Sequence, residues 1–131
     1  MKNIRKIVSR IIMQYGTRSP FQICEKMGIN ILFVDLPDKV NGFFVNSAEN
    51  GYRSILISKS IPDFKKEEVC AHELGHALLH SEINSILHEN DPSFGLKKFE
   101  AEADFFSNLL LPKPNSNSLT QKSKFKCLTK F

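Results

Sequence analysis

The chain has 131 residues, 41% of them hydrophobic and 24% charged, which predicts one soluble globular domain with a modest core and leaves too little chain for two. Its longest unbroken apolar runs, such as Ile31 to Val34, are about four residues, far short of the ~18 that a membrane-spanning helix needs. The net charge of +4 suggests an acidic partner such as nucleic acid, yet all 14 acids lie before Pro112, so the body is near neutral at −1. Lys113, Lys122, Lys124, Lys126 and Lys130 make the remainder a basic tail without an acid.

Ile4, Ile7, Val8, Ile11, Ile12 and Tyr15 recur at helical spacing, so the first segment reads as an amphipathic helix rather than a secretory or transit leader. Ser19 and Pro20 are suited to the N-cap and first position of a short helix, Phe21 to Met27, that stops at Gly28. The stretch Gln22 to Ile29 resembles the first half of a helix-turn-helix. A β-rich run and Pro37 then arrive where a recognition helix is needed, which favours a helix packed on a sheet. Asn30 to Leu36, Gly42 to Val45 and Arg53 to Ser58 are expected strands, with a hairpin turn at Asn50-Gly51. Pro62 opens a long helical segment, Lys65 to His80, and a polar loop is expected around Asn90-Asp91-Pro92. A last helix runs from Leu96 to Leu110, before Pro112. Residues 113–131 are rich in Pro, Asn and Ser without periodicity and read as a flexible basic tail. The order α-α-β-β-β-α-α predicts an α+β domain over residues 1–112, built on a small sheet dominated by antiparallel pairing. Cys24, Cys70 and Cys127 have no CxxC spacing, so neither a disulfide framework nor a cysteine zinc knuckle is expected, and a reducing cytoplasm is.

The chemistry concentrates at His72-Glu73-Leu74-Gly75-His76, an H-E-x-x-H pattern. Residues four apart stand on one face of a helix, so His72 and His76 can offer two imidazole nitrogens to one zinc ion, and Glu73 can reach a water beside it. Val69, Ala71, Leu74, Ala77, Leu78 and Leu79 supply the apolar positions of that helix. Gly75 costs ~1 kcal/mol relative to Ala in a helix interior, and close approach of a neighbouring strand or of substrate backbone would justify it. Cys70 lies ~200° round the helix from His72 and reads as a packing residue. A third ligand must come from elsewhere: His80, Glu82, His88, Glu89, Asp91, Glu100, Glu102 and Asp104 are the downstream candidates. His80 stands ~12 Å along the same helix from His72, too far to share an ion with it. Glu100 and Asp104 share one face of the last helix, so that one carboxylate can bind the ion while the other orients a ligand histidine. Glu102 is their rival, because on a helical wheel it falls inside the apolar arc between Phe106 and Leu109, where a lone carboxylate is costly.

The run C-A-H-E-L-G-H-A-L-L-H from Cys70 to His80, followed by E-x-E-A-D-F-F-x-x-x-L-L-x-P from Glu100 to Pro112, resembles the ImmA/IrrE family of zinc metallopeptidases. The stretch Tyr15 to Ile29 and the strands after it also look like that family's short phage and bacterial members. The resemblance implies a zincin-like fold with Zn²⁺ on His72, His76 and Glu100, a supporting carboxylate at Asp104, and Glu73 as the catalytic base. It implies a regulatory endopeptidase that cleaves a helix-turn-helix transcriptional repressor encoded nearby, an anti-repressor of a phage or mobile element. Direct nucleic-acid binding is not expected. Tyr52, His80 and His88 are candidate donors to the oxyanion. The alternative is a binding module of the same fold that sequesters a repressor or other protein without cutting it; a purely structural zinc site has no need of Glu73.

Overall fold

In the computed structural model, residues 3–47, 51–80 and 96–112 are described. They form α1 (Ile4–Tyr15), α2 (Pro20–Met27), β1 (Ile29–Val34), β2 (Gly42–Ser47), β3 (Tyr52–Ser58), α3 (Asp63–Leu79) and α4 (Leu96–Leu110). Each helix start uses local chemistry where the sequence offers it. Asn3 accepts from the Lys6 amide at the head of α1, and the Ser19 hydroxyl accepts from the Gln22 amide ahead of Pro20 in α2. The chain leaves α2 at Gly28 and enters β1 directly, so no recognition helix follows it. Asn50 of the expected hairpin turn, the expected loop near Asn90 and the whole expected tail lie outside the described residues.

The three strands form one sheet in the order β1-β3-β2. It is mixed rather than antiparallel-dominated: β2 pairs with β3 antiparallel, but β1 pairs with β3 parallel, Ile31 opposite Ile55 and Phe33 opposite Ile57. Residues 35–41 carry the chain past the end of β3, where the Ser58 amide donates to the Asn41 carbonyl and the Lys59 amide to the Val34 carbonyl. The β2–β3 hairpin then returns β3 to the middle. Burial accounts for this order, since Ile55 and Ile57 are fully buried while Leu32, Phe33 and Val45 on the outer strands are exposed.

One side of the sheet carries the helices. From Val69 to Ala77 every residue of α3 is buried, because the helix runs between β2 and β3 on one side and α4 on another, with α2 beside it. Two glycines permit this closeness. A side chain at Gly42 would bring its Cβ within 2.6 Å of Val69 Cγ1 and 2.8 Å of the Leu56 carbonyl oxygen, so β2 lies against α3 only with glycine there. A Cβ on Gly75 would come 3.1 Å from the Phe106 ring, so the close neighbour that justifies glycine inside α3 is the helix α4 rather than a strand. α1 closes over α4 and α2. Arg18 donates to the carbonyls of Leu109 and Leu110 and so satisfies acceptors at the end of α4. Among the described residues, no helix is long and apolar enough to cross a membrane.

Candidate metal centre

Three polar residues of α3, His72, Glu73 and His76, and His80 at its C-terminal cap are buried, and buried polar groups need partners. α4 supplies them. Its core-facing line of Phe99, Ala103, Phe106 and Leu110 has Glu100 and Asp104 on one flank and Glu102 on the other, as expected for residues two apart and ~200° round a helix. Glu100 Oε1 lies 3.0 Å from His72 Nε2, and Glu100 Oε2 lies 3.1 Å from His76 Nε2. One carboxylate thus spans the facing nitrogens of both imidazoles. Behind them, Asp104 Oδ1 stands 2.9 Å from His72 Nδ1, and His80 Nδ1 stands 3.1 Å from His76 Nδ1. Glu102 Oε1 is 2.7 Å from His80 Nε2.

Candidate ligand atoms of His72, His76 and Glu100 lie within 4.8 Å of one another. Two imidazole nitrogens and a carboxylate oxygen are a donor set that suits zinc with a coordination position left open. The residues also fit in a second respect. A metal-binding imidazole needs its far nitrogen protonated and held, and both far nitrogens here have a partner within 3.1 Å.

The electrostatics follow from the same contacts. Burial favours the neutral imidazole of His72, but hydrogen bonds to Asp104 and Glu100 outweigh it and raise its pKa from 6.5 to about 9. Burial also opposes ionisation of Glu100, yet its bonds to His72 and His76 hold the carboxyl well below the usual range. A cation must therefore displace a proton from His72 at neutral pH, whereas an unperturbed imidazole is already neutral above pH 6.5. Divalent-cation affinity of chelator-stripped protein is expected to keep climbing, by roughly tenfold per pH unit, from pH 6.5 to 8. Calorimetry in two buffers of different ionisation heat measures the proton released; a profile already flat at pH 6.5 would contradict the His72 assignment.

The other residues singled out in the sequence take distinct places. Glu73 is fully buried beside β2, its Cγ 3.7 Å from where a Cβ on Gly42 would stand. Tyr52 is exposed at the turn end of the hairpin, paired with Ser47 and five residues along β2 from Gly42, about 17 Å in strand length. The structure does not bring it to the centre. His80 is next to the centre but behind His76, with its two nitrogens turned to His76 and Glu102. His88 lies outside the described residues. Cys70 packs on Cys24 of α2 with the sulfurs 3.9 Å apart. That contact and burial push its thiol far up, which keeps it protonated. The link from His80 to Glu102 is what the sequence leaves unseen. Its only trace is that His80 stands four residues after His76, and that Glu102 lies in an apolar arc.

A helix bearing H-E-x-x-H, crossed by a second helix that contributes a glutamate to the same point, defines the donor frame of a metallopeptidase centre. The chain belongs to the Peptidase_M78 family: residues 24–124 match its domain, described as IrrE N-terminal-like, a span that runs past Pro112. It is 34% identical over 110 residues to a protein of Bacillus phage phi105 named uncharacterized immunity region protein 2, which covers 83% of this chain and 68% of that one. It is 30% identical over 110 residues to a Bacillus subtilis (strain 168) protein named metallopeptidase ImmA, which covers 84% of this chain and 63% of that one.

Proposed function

We propose that the protein is a zinc-dependent regulatory endopeptidase of the cytoplasm, which cleaves a helix-turn-helix transcriptional repressor encoded near it in a phage or mobile element. The observation that carries this reading is the convergence of His72, His76 and Glu100 next to Glu73 on the same helix. The metallopeptidase name of one relative supports a protein substrate, and the immunity-region name of the other is compatible with a repressor.

His72 Nε2, His76 Nε2 and Glu100 would hold the ion, with Asp104 keeping the proton of His72 on Nδ1. Bound zinc would supply Lewis acidity, which lowers the pKa of water towards 7 and polarises a carbonyl. Glu73 accepts the proton of the attacking water on its carboxylate as the new C–O bond forms, then returns it to the leaving amine nitrogen as the carbonyl re-forms and the peptide C–N bond breaks. Gly42 keeps β2 close to that carboxylate, so a peptide lying along β2 would pass near it.

The full chain, purified and loaded with zinc, is expected to bind about one ion and to cut the repressor from the neighbouring reading frame into fragments seen by mass spectrometry. Stripping with a chelator stops the cleavage and adding zinc restores it. No bound metal would overturn the metal centre. Zinc bound, with the repressor captured but intact, would overturn catalysis in favour of a sequestering module.

A further inference from the structure

We propose that His80 and Glu102 form a positioning relay behind His76, which keeps the His76 proton on Nδ1 and leaves Nε2 as the metal donor. The inference rests on the metal-centre reading above and extends it to two residues outside the ligand set.

The two candidate ligand imidazoles are supported differently. His72 Nδ1 meets a carboxylate directly, Asp104 at 2.9 Å. His76 Nδ1 meets another imidazole nitrogen, His80 Nδ1, at 3.1 Å. Two such nitrogens bond only when one carries the proton and the other the lone pair. Between neutral imidazoles Glu102 decides which: a carboxylate oxygen accepts, so at 2.7 Å it places the His80 proton on Nε2. His80 Nδ1 is then the acceptor, and His76 Nδ1 must be the donor. The ring of Phe99 packs on His80 with centroids 4.4 Å apart and fixes its plane. His80 is 6% exposed and the Glu102 side chain 17% exposed, so water competes weakly for these bonds. Both ligand histidines therefore end on a carboxylate of α4, one directly and one through an intervening imidazole. A carboxylate in the apolar arc of α4 has its explanation here rather than in metal binding.

The test compares wild type, His80→Ala, His80→Asn and Glu102→Ala in the full chain. Zinc affinity is measured by competition with a chromophoric chelator, and the imidazole N–H protons are observed by NMR of the zinc-loaded protein. His80→Ala should weaken zinc by about 10–100-fold, the range seen when partners behind a ligand are lost. His80→Asn, whose amide oxygen can accept at the Nδ1 position, should recover most of that loss. The wild type should show a slowly exchanging proton on His76 Nδ1 that His80→Ala lacks. Affinity unchanged in a folded His80→Ala would overturn the relay, as would a loss that His80→Asn leaves unrepaired. Should His80→Ala not fold, Glu102→Ala decides: about tenfold weaker binding sustains the relay, and wild-type affinity overturns it. A wild type that binds no zinc would overturn the centre itself, whereas equal binding by every variant would overturn only the relay.

Discussion

Glu73→Gln should abolish measurable cleavage of the repressor, a loss of about 10²–10⁴-fold from removal of the general base, while the protein keeps its zinc. Glutamine matches glutamate in shape but has no basic oxygen to take the proton of the attacking water. Glu73 is not one of the three residues whose ligand atoms converge, so zinc affinity should stay within about tenfold of wild type. Stability should move less than activity. Glutamine fills the same fully buried volume, so the variant should melt near the wild-type temperature. Repressor digestion, metal content and a melting curve on one preparation check all three statements. Undiminished cleavage by the variant would remove Glu73 from the chemistry.

Glu100→Gln should instead cost the protein its metal. Among the described residues, Glu100 is the one whose two oxygens reach both His72 and His76, and a neutral amide oxygen is a poor substitute for a carboxylate ligand. Zinc affinity is expected to fall by more than about 100-fold, beyond the range found for residues behind a ligand, and cleavage should fall with it at limiting zinc. The variant also removes one of the two bonds that raise His72, so the pH profile of residual binding should flatten at a lower pH. Competition titrations at pH 6.5 and 8 measure both effects. Wild-type affinity at both values would show that Asp104 or another carboxylate supplies the third ligand.

What the sequence reveals of this centre follows from range. H-E-x-x-H and the Glu100–Asp104 spacing each lie within about one turn of a helix, and helical periodicity alone projects their side chains to one face. Helix ends at Ser19, Gly28 and Pro112 are local in the same sense. Sheet order is not: nothing in residues 29–34 states that their neighbour is 52–58 rather than 42–47, and the parallel pair depends on a crossover past the end of β3. The His80–Glu102 bond likewise joins residues 22 apart in sequence. It exists because α3 and α4 cross closely at Gly75 and Phe106. The wheel marks Glu102 as an oddity but cannot name its partner, since that requires knowing how two helices meet.

The division of this centre between two helices has a thermodynamic consequence. α3 is held by the sheet, whereas α4 carries Glu100, Glu102 and Asp104 together on one short rod. Any opening that lifts α4 from α3 removes a proposed ligand and both supporting carboxylates in one event, so an ion held as proposed would bind tightly only when that rod is seated. Ion binding and helix seating are then a single coupled equilibrium, in which the free energy of one appears as protection of the other. The amides of α4, more than those of the sheet, should report metal occupancy through their hydrogen exchange. On the proposed reading, zinc would act as a clasp as well as a reagent.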